Sequence, residues 1–219
     1  MEKCKYDAVL FDLDGTVSKS HPGIIGSMKK ALAEYGQSMP EDFDYFQFIG
    51  PPICQSLMEY CKMPEPEAER CTKIYRRHYN AEGIFNTSLY PGIGELMRRL
   101  QAAGAKVCLA TSKPQPMADE VADFLGIADV IFCNSGADPS DKVSDKPGLI
   151  ARCLRETGAA KEKTVMIGDT RFDANGAAVA GVDFIGVLYG YGTREEMEEQ
   201  GAAKFAQDAA ELAAKLFTE

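Results

Sequence analysis

Asp12 and Asp14 stand one residue apart in the stretch FDLDGT, directly after the apolar run Ala8-Val9-Leu10-Phe11 and directly before Gly15. Residues i and i+2 of an extended chain point the same way, so the two carboxylates converge if the strand persists that far. Like charges held that close repel, and they need a metal ion, a neighbouring cation or a proton retained on one of them. Further along, Thr111, Ser112 and Lys113 follow one apolar run, and Gly168, Asp169 and Asp173 follow another. Lys146 leads into a helix from the loop Ser144-Asp145-Lys146-Pro147. Acids, hydroxyls and a lysine gathered on one edge suit magnesium, a hard cation that favours oxygen ligands and shares its sphere with substrate phosphate. Each residue also has a plain reading. Asp12 and Asp14 alone would be turn and capping residues, Thr111 a strand-end hydroxyl, Lys146 a solvated loop lysine, and Asp173 a cap for the helix beginning near Ala174.

The elements that must position these groups alternate. Apolar, β-prone runs at 6–11, 106–110, 130–133, 164–167 and 184–188 predict strands. Helical spacing fills the gaps: Ile93, Leu96, Met97 and Leu100 end at Gly104, Met117, Val121, Phe124 and Leu125 at Gly126, and Leu149, Ile150, Cys153 and Leu154 at Gly158. Such alternation predicts an α/β fold, a Rossmann-like parallel sheet with helices on both faces. Ligands of such sheets bind beyond the carboxyl ends of the strands, where the acids, hydroxyls and lysine above are found. From 18 to 88 only helical patterns occur, which predicts a helical cap inserted into a core made of 1–17 and 89–219.

Composition narrows the classes. With 219 residues, 45% hydrophobic and 26% charged, the chain is long and apolar enough for a sizeable globular core. A formal net charge of −9 argues against nucleic-acid or anionic-membrane partners, since phosphate backbones are met by excess Lys and Arg. No run approaches the ~20 apolar residues of a membrane span, and 1–7 lead into a strand without a signal-like segment, so a cytoplasmic location is expected. The seven cysteines form no C-x-x-C pair and read as small core residues. Nothing in the pattern separates a monomer from a homodimer.

The ordered motifs resemble those of the haloacid dehalogenase-like hydrolases, in the branch with a helical cap after the first strand. DLDGT at 12–16, Thr111 in LATSKP, Lys146 in SDKPGLI and GDTRFD at 168–173 are similar to that family's four motifs. The segments FIGPP and GVLYGYGT are similar to phosphoglycolate phosphatase-like and nucleotidase-like members. The resemblance implies a magnesium-dependent phosphomonoesterase acting on a small phosphorylated metabolite. It implies Asp12 as nucleophile, Asp14 as general acid and base, and Thr111 and Lys146 completing the catalytic set. Gly15, Thr111, Ser112 and Lys146 would bind phosphate, and Asp12, Asp14 through its carbonyl, Asp169 and, through water, Asp173 would hold the ion. A carboxylate with a reference pKa of ~3.9 is expected to be ionised at neutral pH without an activating base.

Phosphoglycolate phosphatase-like activity is the leading expectation, with a 5'-nucleotidase or a sugar-phosphate phosphatase or phosphomutase as alternatives. Ile53 stands where such mutases usually carry a phosphate-binding arginine, which favours hydrolysis. Arg76, Arg77 and Lys113 are further candidates for an anionic substrate, and His21 reads as a linker residue. The rival from another class is a receiver-like signalling domain or a silent phospho-ligand binder; receivers lack a helical insertion of this length.

Overall fold

The computed structural model describes residues 2–138 and 145–218, so Ser144 of the expected third motif lies outside them. Six strands make one parallel sheet: β1 (Ala8–Phe11), β2 (Lys106–Pro114), β3 (Cys133–Ala137), β4 (Thr164–Gly168), β5 (Asp183–Val187) and β6 (Phe205–Ala206), in the order β3-β2-β1-β4-β5-β6. β1 is central because all four of its residues are apolar and fully buried, as a strand covered on both faces requires. Its pairing with β4 continues one residue further, where Asp12 N–H donates to the Ile167 carbonyl at 2.8 Å.

Nine helices occur among the described residues: α1 (His21–Tyr35), α2 (Ile53–Tyr60), α3 (Glu65–Ala81), α4 (Ile93–Ala102), α5 (Gln115–Phe124), α6 (Lys146–Thr157), α7 (Arg171–Ala180), α8 (Arg194–Glu198) and α9 (Ala209–Leu216). Alternation sorts the strand side chains between two layers. Ala8, Leu10, Cys108, Ala110 and Met166 pack with Leu149, Ile150 and Cys153 of α6 and Ala177 of α7. Val9, Phe11, Val107, Leu109, Val165 and Ile167 pack with Ile93, Leu96 and Leu100 of α4, Val121 of α5 and Leu212 of α9. The second core continues into Met28, Leu32, Leu57 and Tyr75 of the helices between β1 and β2. No helix among the described residues is long and apolar enough to cross a membrane.

The segment expected to be a helical insertion holds α1, α2 and α3 and no strand among its described residues. Its ends run side by side: Lys19 N–H donates to Ser88 O at 2.7 Å and Tyr90 N–H to Val17 O at 3.0 Å. Helix α6 ends where glycine was expected, at Gly158 with φ 66°, and α1 ends in the same way at Gly36 with φ 84°. One strand is displaced from its expected position. The apolar Val130 falls in a 3₁₀ turn over Ala128–Val130, and the strand begins at Cys133, as CNSGA. That strand lies at the sheet edge and pairs through backbone bonds to β2, so its polar sequence carries no hydrophobic period to detect. β6, α8 and α9 were not anticipated. β6 is only two residues long, and α8 and α9 are short.

Candidate active site

The strand order reverses between β1 and β4, and a parallel sheet opens its ligand crevice at such a point, beyond the carboxyl ends. β1 delivers Asp12 there, β2 delivers Thr111, Ser112 and Lys113, β4 delivers Asp169, and the first turns of α6 and α7 deliver Lys146 and Asp173. Lys146 Nζ lies 2.7 Å from Asp12 Oδ1 and 2.8 Å from Asp173 Oδ1, and donates to the Ala110 carbonyl at 2.9 Å. It is 4% exposed, so the plain reading of a solvated loop lysine fails. Gly176 makes room for it, since a Cβ there would sit 2.5 Å from the lysine Cγ.

Asp169 is 0% exposed and accepts from Thr16 Oγ1 at 2.9 Å and from Tyr191 N–H at 2.8 Å. Three glycines close around it. A Cβ on Gly15 or Gly190 would come within 2.2 Å of Asp169 side-chain atoms, and one on Gly192 within 2.2 Å of its carbonyl oxygen. Gly15, at φ +95°, therefore serves this close approach. Its N–H donates to Ser18 O at 2.9 Å. Thr16, Gly190, Tyr191 and Gly192 had no role in the sequence reading. Thr16 was marked by its place after β1, and Gly190, Tyr191 and Gly192 lie in the GVLYGYGT segment, which was noted only for its likeness to family members.

Asp173 both caps a helix and enters the site. With Thr170 it forms a capping box on α7, its Oδ2 accepting from Thr170 N–H at 3.1 Å and Oγ1 at 2.7 Å, while Oδ1 faces Lys146. Asp14 points elsewhere: its Oδ2 pairs with Lys113 Nζ at 2.7 Å, and its Oδ1 is buried without a hydrogen-bond partner. Lys113 in turn lies 5.0 Å from the ring centroid of Tyr79 on α3. The Thr111 hydroxyl accepts from Lys113 N–H at 3.2 Å, leaving its proton available to an incoming oxygen.

Oxygens of Asp12, Asp169 and Asp173 lie within 4.8 Å of one another. Ligands of a single magnesium ion at ~2.1 Å are at most ~4.2 Å apart, so the cluster fits such an ion after a small closure. The charges fit too, because three carboxylates face one ammonium and a divalent ion would cancel the remainder. Burial pushes the Asp12 carboxyl up to about 7 against the pull of Lys146, with Asp173 and Asp14 adding to the rise. Burial, then Asp173 and Asp12, hold Asp169 well above the usual carboxylate range. Burial opposes the charge on Lys146 and on Lys113, yet their carboxylate partners outweigh it and keep both above the ordinary lysine value.

Asp12, Asp14, Thr111, Ser112, Lys113 and Lys146 share a cavity of about 420 Å³ with the loop from Phe48 to Cys54 and with α3. Ile53 and Arg76 line it, whereas Arg77 pairs with Glu34 on the exposed side of α3. His21 packs between Phe46 and Tyr191, at ring-centroid distances of 5.4 and 5.8 Å.

The family model for haloacid dehalogenase-like hydrolases matches residues 9–187, and the chain belongs to that family. It is 33% identical over 208 residues to a 5'-nucleotidase of Pseudomonas aeruginosa, covering 95% of this chain and 94% of that one. It is 28% identical over 214 residues to a phosphoglycolate phosphatase of Rhodospirillum rubrum, covering 94% and 88%. Over 191 residues it is 34% identical to the tyrosine-protein kinase PtkA of Mycobacterium tuberculosis, covering 87% of this chain but 65% of the kinase. The crystal structure of a "predicted phosphatase" from Clostridium acetobutylicum superposes with a TM-score of 0.89 at 32% identity, covering 96% and 97%.

Proposed function

We propose that the protein hydrolyses a small phosphomonoester through a phosphoryl group carried on Asp12, with residues 18–88 acting as a cap over a core of 1–17 and 89–219. The observation that carries this is the Asp12 carboxylate at the end of the central strand, on the cavity wall, paired with buried Lys146 and clustered with Asp169 and Asp173. An Asp12 oxygen attacks phosphorus as the bond to the leaving alcohol breaks. Asp14, two residues on and at the same cavity, gives that alcohol its proton. It then takes a proton from the water that attacks phosphorus, which releases inorganic phosphate and restores Asp12. Lys113 Nζ, 2.7 Å from Asp14 Oδ2, fixes the position of that side chain at the cavity. Thr111, Ser112 and Lys146 bind the phosphoryl oxygens. Magnesium held by Asp12, Asp169 and the Asp14 carbonyl, with Asp173 through water, would supply the positive charge that a dianionic ester needs beside an anionic nucleophile.

Phosphoglycolate and nucleoside monophosphates are the substrate readings that the relatives' names support. The receiver-like alternative has no observation in its favour, and the kinase relative extends well beyond the matched region. Phosphate release from a panel of phosphomonoesters, with and without magnesium, tests the reaction. Wild-type turnover with magnesium and none for Asp12→Asn is expected; undiminished hydrolysis by Asp12→Asn overturns the proposal.

A further inference from the structure

Lys113 is a buried lysine that joins two parts of the chain. Its Nζ lies 2.7 Å from Asp14 Oδ2, and the same Nζ lies 5.0 Å from the ring centroid of Tyr79 on α3. An ammonium within ~6 Å of an aromatic face is attracted by the ring, most strongly where water is excluded. Water is excluded here, since Lys113 is 7% exposed and Tyr79 2%. Tyr79 is itself held. Tyr75, one helical turn earlier, stacks on it with ring centroids 5.6 Å apart and 15° between the planes. Just past the end of α3 the chain runs so close that a Cβ on Gly83 would come within 2.9 Å of Tyr79 Cδ2. A ring fixed on two sides can in turn fix the ammonium beside it.

Asp14, Lys113 and Tyr79 all line the cavity, Asp14 from the loop after β1, Lys113 from β2 and Tyr79 from the helical segment between those strands. The proton transfer assigned to Asp14 needs its carboxyl within hydrogen-bond reach of the leaving oxygen. A misplacement of ~1 Å at a reacting centre can cost ~100-fold in rate, so whatever seats Lys113 bears on that step. We propose that Tyr79 is a positioning residue for Asp14: its ring seats the Lys113 ammonium, and the ammonium holds the Asp14 carboxyl where it meets the leaving alcohol. Proton delivery at the end of the sheet thereby depends on a helix of the inserted segment. This rests on the phosphomonoesterase reading and adds to it a residue that acts through another on one proton transfer.

The test compares kcat/KM, which reports the steps up to departure of the alcohol, for phenyl phosphate and 4-nitrophenyl phosphate in the full-length protein with magnesium. The two esters are similar in shape, but phenoxide is much the stronger base, so its departure needs the proton and that of 4-nitrophenoxide hardly does. Their ratio does not depend on how much of a variant is folded. Tyr79→Leu lowers kcat/KM for phenyl phosphate ~10-fold beyond any loss on 4-nitrophenyl phosphate, a part of the ~10²–10⁴-fold that general acid catalysis supplies. Tyr79→Phe keeps the ring and retains most of the wild-type ratio. Lys113→Met shows the same selective loss, and adding Tyr79→Leu to it changes the ratio by less than ~2-fold, because the ring acts through the ammonium. Equal losses on the two esters in Tyr79→Leu, a ratio in Tyr79→Phe as low as in Tyr79→Leu, or a further drop in the double variant each overturns the assignment. No phosphate release from either ester by the wild type removes the reaction itself, a result distinct from hydrolysis with equal losses.

Discussion

Raising the pH from 5 to 7.5 in the presence of a chelator is expected to destabilise the protein, and magnesium is expected to abolish that loss. The magnitude follows from Asp12. Burial lifts its carboxyl from an ordinary 3.8 to about 7 when no metal is bound. An acid whose pKa is raised on folding stabilises the fold below its unfolded value, and that contribution disappears as pH climbs to the folded value. Each pH unit between the two is worth ~1.4 kcal/mol, so roughly 3 kcal/mol goes between pH 5 and 7. Asp169 shifts in the same direction and can only add to it. For a chain of this length ~1 kcal/mol moves the melting temperature by ~2–4 °C, giving a fall of roughly 6–12 °C. The paired surface carboxylates Glu34 and Glu82 lie below their ordinary values and titrate under this window. A divalent ion replaces the proton as the partner of these carboxylates, so the curve with magnesium should be nearly level. Scanning calorimetry at both pH values, with chelator or with magnesium, measures the four points, and Asp12→Asn in chelator should remove most of the slope. A melting temperature in chelator that stays level or climbs would mean that Asp12 ionises unaided, and the charge count at the site would be wrong.

Other substitutions probe the same arrangement. Asp12→Asn should abolish turnover by several orders of magnitude while leaving the fold intact, checked by phosphate release beside circular dichroism. Lys146→Ala should lower turnover ~100-fold or more and, because it strips buried carboxylates of their ammonium, should cost about 3–5 kcal/mol in chelator and less with magnesium. Equal effects on folding with and without the ion would refute that compensation. Gly15→Ala forces a side chain into a left-handed backbone and onto the Asp169 carboxylate, and should cost at least ~1–2 kcal/mol and weaken magnesium binding measured by calorimetry. Unchanged affinity in that variant would separate Asp169 from the ion.

The strand ends were legible because the buried strands carry near-continuous apolar runs, and a charge that interrupts such a run can only sit at its end. That logic located Asp12 and Asp169, each directly after its strand, whereas the uncharged Thr111 lies within β2, which runs on to Pro114. It failed for β3, whose CNSGA sequence is held by backbone bonds to β2, and for β6, which is too short to show a period. Glycine spacing marked helix ends well, since a left-handed C-cap is a local demand. Gly190 and Gly192 answer a different demand, the approach of one loop to an aspartate more than twenty residues earlier, and no local pattern announces that.

What the sequence determined by itself was therefore the set of groups and the edge of the sheet on which they lie, because periodicity and strand ends are local properties of a chain. Tertiary structure alone decided the pairings: Lys146 with Asp12 and Asp173, Lys113 with Asp14, and Thr16 and Tyr191 around Asp169. Ion pairing and burial depend on separations of a few ångströms between residues up to 153 positions apart. For the same reason Asp12 escapes its reference pKa, since that is a consequence of what packing excludes.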